Sequence, residues 1–187
     1  MPANRPPSGR RDRIRHGPRT ARYGHLKMRI LGIDPGLRYT GYGCIDSDAG
    51  GQSSTVVEAG VIRVPQKKPL PERLAYLHDE LTTLMQDTKP DLVVIEQVFV
   101  HRDRAQTAMQ MGHARGVMLL AAEQQRIEID DLSPAEIKRA VTGNGRASKE
   151  QVQHAIATLL GLPEPPTQPD TADALAIALA AAARRRA

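Results

Sequence analysis

The sequence predicts an α/β domain built on one sheet, and three observations predict it. Three apolar, β-branched runs follow one another near residue 28, joined by short loops, as in an antiparallel meander. Further along, short apolar runs alternate with segments of helical periodicity. Two of the runs, 30–33 and 92–95, are apolar throughout, which suits strands buried on both faces in the middle of a parallel or mixed sheet.

The stretch MRILGIDPGLRYTGYG, residues 28–43, supplies the first strand, which ends on Asp34. Pro35-Gly36 then turns the chain, since Pro presets φ and Gly tolerates positive φ, and Asp34 is left at the strand's C-terminal end. In open α/β sheets ligands bind at that mouth. Alone, Asp-Pro-Gly is equally a plain turn signature. Residues 40–45 read as the second strand and 55–64 as the third. A helix over 72–86 carries Leu74, Leu77, Leu81, Leu84 and Met85 on one face, and Lys89-Pro90 ends it. The run 92–95 repeats the opening pattern and ends on Glu96.

Residues 105–125 read as a helix containing Gly112 and Gly116, whose spacing of four calls for close packing, either on the sheet or across a dimer interface. A fifth strand over 126–131 leads to Ser133-Pro134-Ala135-Glu136, a capping box that opens a short helix bearing Lys138 and Arg139. The basic loop 142–148 ends in a second box, Ser148 with Gln151, whose helix runs to residue 160. A Pro-rich link over 161–169 precedes the last helix, which opens at Asp170, either as an N-cap or as a functional acid, and closes on three arginines suited to its negative end.

At 187 residues the chain suits one domain over 28–187. Residues 1–27 hold eight Lys/Arg and one acid, a charge of +7, so the remaining 160 residues carry −2 of the total +5. Bulk charge is therefore no argument for nucleic-acid binding, and a basic surface must come from local clusters. With four prolines and no apolar period, residues 1–27 read as a disordered basic extension, either an arm that touches nucleic acid or a mis-assigned start before Met28. They lack the apolar region of a secretory signal. The single cysteine, Cys44, rules out an intramolecular disulfide and fits a reducing cytoplasm.

Asp170 and Asp173, spaced i, i+3, share one face of a first helical turn. Joined by Asp34 and Glu96 they would form a purely carboxylate cluster. Oxygen ligands without Cys or His suit Mg²⁺ or Mn²⁺. Two such ions, roughly 3.5–4 Å apart, would neutralise the acids and serve both oxygens of a phosphodiester displacement.

At these residues the chain resembles the RuvC family of crossover junction endonucleases, which resolve Holliday junctions. The match runs through GIDPGLRYTGYG, VVIEQVF, GHARGV, IKRAVTGNGRASKEQVQHAI and DTADALAIALA. Asp-x-Gly after a strand is shared with actin-like ATPases, but the ordered set is specific. The resemblance implies a ribonuclease-H-like fold, a five-stranded mixed sheet whose first three strands are antiparallel, with helices on both faces. It implies Asp34, Glu96, Asp170 and Asp173 as catalytic ligands of two Mg²⁺ or Mn²⁺ ions, and cleavage to 5′-phosphate and 3′-hydroxyl ends. It further implies a cytoplasmic homodimer that nicks opposed strands of a four-way junction, with the branch-migration proteins RuvA and RuvB as partners. Lys138 and Lys149 match basic positions near the scissile phosphate. Phe99, the chain's one Phe, is a core residue or a wedge that stacks on an unpaired base. Arg102, Arg104 and Arg146 are further candidates for phosphate contact. An actin-like ATPase or sugar kinase would need a second copy of the fold, for which the chain has no room. A non-catalytic junction binder would have lost one of the acids. A related nuclease acting on another nucleic acid shares the chemistry.

Overall fold

A computed structural model describes residues 13–15, 27–48, 53–98 and 105–185. Six strands form one sheet: β1 (Arg13–Arg15), β2 (Met28–Asp34), β3 (Tyr39–Ser47), β4 (Ser54–Arg63), β5 (Leu92–Glu96) and β6 (Glu128–Leu132), in the order β1-β4-β3-β2-β5-β6. β2, β3 and β4 pair antiparallel, while β5 joins β2 and β6 joins β5 in parallel. The five expected strands thus form the mixed sheet of a ribonuclease-H-like fold. β1 is an addition: three residues of the segment read as disordered pair antiparallel with β4 at the sheet's edge.

Five helices cover the two faces: α1 (Leu70–Thr88), α2 (Ala105–Gln124), α3 (Pro134–Thr142), α4 (Lys149–Leu160) and α5 (Pro169–Arg184). Alternation along the strands decides which side chains meet which helices. Ile30, Leu92, Val94 and Ile45 pack with α3, α4 and α5, whereas Leu31, Ile33, Val93 and Ile95 pack with α1 and α2. Both faces of β2 and β5 are therefore core, which is why their sequences are apolar without alternation.

Both capping boxes form, at Ser133 with Glu136 and at Ser148 with Gln151. Gly143 and Gly161 end their helices in the left-handed conformation. Two helices begin earlier than expected, α1 at Leu70 and α5 at Pro169. Pro71 and Pro169 lie in first turns, where a missing N–H costs nothing. At the sheet end opposite the mouth, the buried Arg29 guanidinium meets Asp46 through two bonds of 2.7 and 2.9 Å. It also donates to the Thr88 carbonyl at 2.7 Å. This clamp joins β2, β3 and the end of α1.

Candidate active site

Register alone puts the first two acids side by side. Ile33 pairs with Ile95 across β2 and β5, so Asp34 and Glu96 are the next residues along parallel neighbours. Each continues the parity of residues that face α5, namely Ile30 and Gly32 on β2 and Leu92 and Val94 on β5. α5 brings the other two acids down onto this face because the strands beneath it lack side chains. A methyl at Gly41 would collide with the Asp170 backbone, 2.6 Å from its carbonyl carbon, and one at Gly32 would lie 2.7 Å from the Ala178 nitrogen. The residues of α5 that meet the sheet are themselves small, Ala174 and Ala178 among them. The N-cap of α5 is Gln168, so Asp170 lies inside the first turn and is free of the capping role.

Burial and mutual repulsion make Asp34, Glu96 and Asp173 reluctant to ionise. Burial, then the charges of Glu96, Asp173 and Asp170, push the Asp34 carboxyl up to about 8, and hydrogen bonding to Glu96 adds to the rise. Glu96 is raised by burial and by Asp173, against the opposing pull of that hydrogen bond, Lys149 and Lys138. Asp173 is raised by burial, with Lys149 opposing. No three His, Cys, Asp or Glu side chains among the described residues are gathered into one ligand shell. The acids sense one another through charge, which reaches further than a coordination bond. As donors they fit a hard divalent cation, being all oxygen, half-buried and mutually repulsive. Cys44, the soft alternative, is buried on the other face, where burial pushes its thiol up to about 12.

Beside the acids lies a cleft of about 240 Å³, lined by Glu96, Asp173, Lys138 and Lys149 together with the apolar Ile137, Val152 and Ile177. Lys149 Nζ is 3.8 Å from the Asp173 carboxylate. Arg146 is exposed on the loop before α4, outside the cleft lining. Phe99, Arg102 and Arg104 lie outside the described residues.

Sequence reasoning missed the residues that hold Glu96 from behind. Arg115 of α2 donates to the Glu96 carbonyl at 3.2 Å and approaches Asp131 at 3.7 Å. Gln97 donates to the same Asp131 carboxylate at 2.6 Å. Arg115 lies within GHARGV, where the glycines drew attention, and the acidic run on β6 was the available signal for its partner.

The family model described as crossover junction endodeoxyribonuclease RuvC matches residues 30–181. A protein of that name from Halorhodospira halophila is 46% identical over 159 residues, 85% of this chain and 92% of the relative. Its namesake from Thermomicrobium roseum is 42% identical over 152 residues, 81% and 91% of the two chains. Among solved structures, RuvC from T. thermophilus in complex with a Holliday junction substrate superposes with a TM-score of 0.80 at 31% identity, covering 85% of this chain and 95% of that one.

Proposed function

The chain belongs to the RuvC family of crossover junction endodeoxyribonucleases, and from that premise we propose that it resolves four-way DNA junctions by paired, metal-dependent nicking of opposed strands. The observation that supports this most is the meeting of Asp34, Glu96, Asp170 and Asp173, from β2, β5 and α5, in one half-buried cluster. These four residues would hold two Mg²⁺ or Mn²⁺ ions. The chemistry such ions would supply is charge neutralisation, activation of the attacking water and stabilisation of the leaving 3′ oxygen, which would leave 5′-phosphate and 3′-hydroxyl ends.

The remaining steps belong to the chain's own groups. Asp34, which feels the charge of the other three acids, would have to give up its proton for the site to hold a cation. Lys138 and Lys149, which line the same cleft as Glu96 and Asp173, attract the scissile phosphate toward acids that would otherwise repel it. Arg115, Gln97 and Asp131 fix the backbone that carries Glu96, so its carboxylate needs little reorganisation. Phe99 wedges into or stacks on the junction's unpaired bases, and Arg102, Arg104 and Arg146 contact phosphates.

The protein acts in the cytoplasm as a homodimer, with RuvA and RuvB as partners. No described helix is long and apolar enough to cross a membrane. The outer face of α2 supports the dimer: Met109 and Leu120 are exposed large apolar residues on it, and a methyl at Gly112 or Gly116 would touch nothing within 4 Å. A second copy, packed helix to helix on those glycines, would pair two sites about a two-fold axis that matches the junction's own.

The test is cleavage of a synthetic four-way junction with Mg²⁺, read beside a linear duplex of the same sequence. Symmetrical paired nicks with ligatable 5′-phosphate ends are expected. Equal cutting of the linear duplex would overturn the junction specificity.

A further inference from the structure

The sheet's mouth continues past the acids on the side away from Lys138 and Lys149, and a cationic aromatic cluster stands there. Cross-strand partners share a face, which fixes the order of residues across the mouth. Asp34 pairs with Gly41, and Tyr39, two residues further along β3, pairs with Arg63 at the end of β4. Parity puts Tyr39 and Arg63 on the α5 face with the acids, and Tyr39 stands about 7 Å beyond Gly41 at strand spacing. Tyr39 is 40% exposed, whereas Tyr42, three residues on, is wholly buried. The Arg38 guanidinium lies over the Tyr39 ring at 5.2 Å from its centre and that of Arg63 at 5.9 Å.

The cluster sits on a braced turn. The Arg38 carbonyl accepts from the Val64 N–H at 3.1 Å. The Leu37 carbonyl accepts from Arg73 at 2.5 Å and from Gln66 at 3.1 Å. The two guanidinium groups and the exposed tyrosine ring present one cationic, aromatic surface. A flat π surface flanked by guanidinium forks suits a nucleotide, whose base stacks while its phosphate takes the forks.

We propose that Arg38, Tyr39 and Arg63 form a second DNA-binding site, which holds the cleaved strand about one nucleotide from the scissile phosphate. The inference rests on the junction-nuclease reading. The step of about 7 Å from Gly41 to Tyr39 is close to the separation of neighbouring phosphates along one strand. A strand lying over the acids then meets cations on both sides, the two lysines on one and the two arginines on the other. That offsets the repulsion an acid cluster exerts on a phosphodiester chain.

The experiment measures binding of a fluorescent four-way junction by the full chain between 50 and 200 mM KCl, for the parent, Arg38→Gln/Arg63→Gln, Arg38→Lys/Arg63→Lys, Tyr39→Ala and Tyr39→Phe. Each lost phosphate contact lowers the slope of log affinity against log salt by about 0.7 to 0.9, so the double glutamine variant loses about one and a half units. The double lysine variant keeps the slope. Tyr39→Ala weakens binding about five- to hundredfold with the slope unchanged, and Tyr39→Phe retains most of the affinity. Thermal melting of each variant checks that the exposed substitutions leave the fold intact. A parent that binds and cuts the junction, beside glutamine and alanine variants that match it in affinity and slope, overturns this site and leaves the nuclease reading standing. A parent that fails to bind junctions overturns both.

Discussion

Gly41→Ala tests how α5 is held against the sheet. The added methyl would stand 2.6 Å from the Asp170 carbonyl carbon, where ordinary contact begins near 3.4 Å, so α5 must retreat by at least about 0.8 Å. Backbone on both sides leaves no flexible side chain to give way. Overpacking of this kind costs about 1–3 kcal/mol. For a domain of this size each kcal/mol lowers Tm by about 2–4 °C, so a fall of up to about 10 °C is expected in a thermal melt. The larger effect falls on the site, because α5 carries Asp170 and Asp173 while Asp34 and Glu96 stay with the strands. A misplacement near 1 Å costs about a hundredfold in rate. Nicking of a four-way junction under single-turnover conditions should therefore fall about a hundredfold while most of the chain remains folded. A Gly41→Ala protein that melts and cuts like the parent would refute the close-approach argument.

Three further outcomes follow from the same contacts. Arg29→Met leaves Asp46 buried without its partner and should cost about 3–5 kcal/mol in urea denaturation, with cleavage per folded molecule unchanged. In metal-free protein the raised Asp34 carboxyl takes up a proton on folding between the ordinary carboxylate value and about 8. Its contribution is therefore complete below pH 4 and lost as pH rises to 8, at up to about 1.4 kcal/mol per pH unit. Asp34→Asn should flatten that decline in a pH series of melts, and a slope equal to the parent's would contradict it. Arg115→Met frees the Glu96 backbone from behind and should raise the Mg²⁺ concentration needed for half-maximal nicking several-fold, with junction affinity unchanged in a binding titration.

Much of the fold was legible because both faces of β2 and β5 are core, so their apolar runs stand out without alternation. Capping boxes and the Asp-Pro-Gly turn marked several of the boundaries. The errors have local causes. β6 was read two residues early, at 126, because Arg126 and Ile127 look like strand residues. Arg126 instead adopts positive φ (55°) in the tight turn that ends α2. The Pro-rich link hid the start of α5, since Pro169 is the helix's first residue. β1 carries no apolar period, and its edge pairing with β4 depends on backbone hydrogen bonds that side-chain patterns do not announce.

Of the candidate site, the acids were visible as charges at the ends of apolar strands and on a helix's first turn. Their grouping followed from the resemblance, and Gly41 inside a strand signals a close backbone approach, but that α5 is the element admitted over Gly32 and Gly41 leaves no mark in the sequence. Arg115 was hidden for a similar reason. A long polar side chain's target, here a carbonyl on another element, leaves no periodic trace.

The central claim is that Asp34, Glu96, Asp170 and Asp173 act as one metal-binding nuclease site. The most direct measurement compares Asp34→Asn, Glu96→Gln, Asp170→Asn and Asp173→Asn for junction binding and for Mg²⁺-dependent nicking of the same labelled junction. The account predicts that each variant binds the junction and none cuts it above about a thousandth of the parent rate. A variant that loses one acid and still nicks at a rate near the parent's would contradict it.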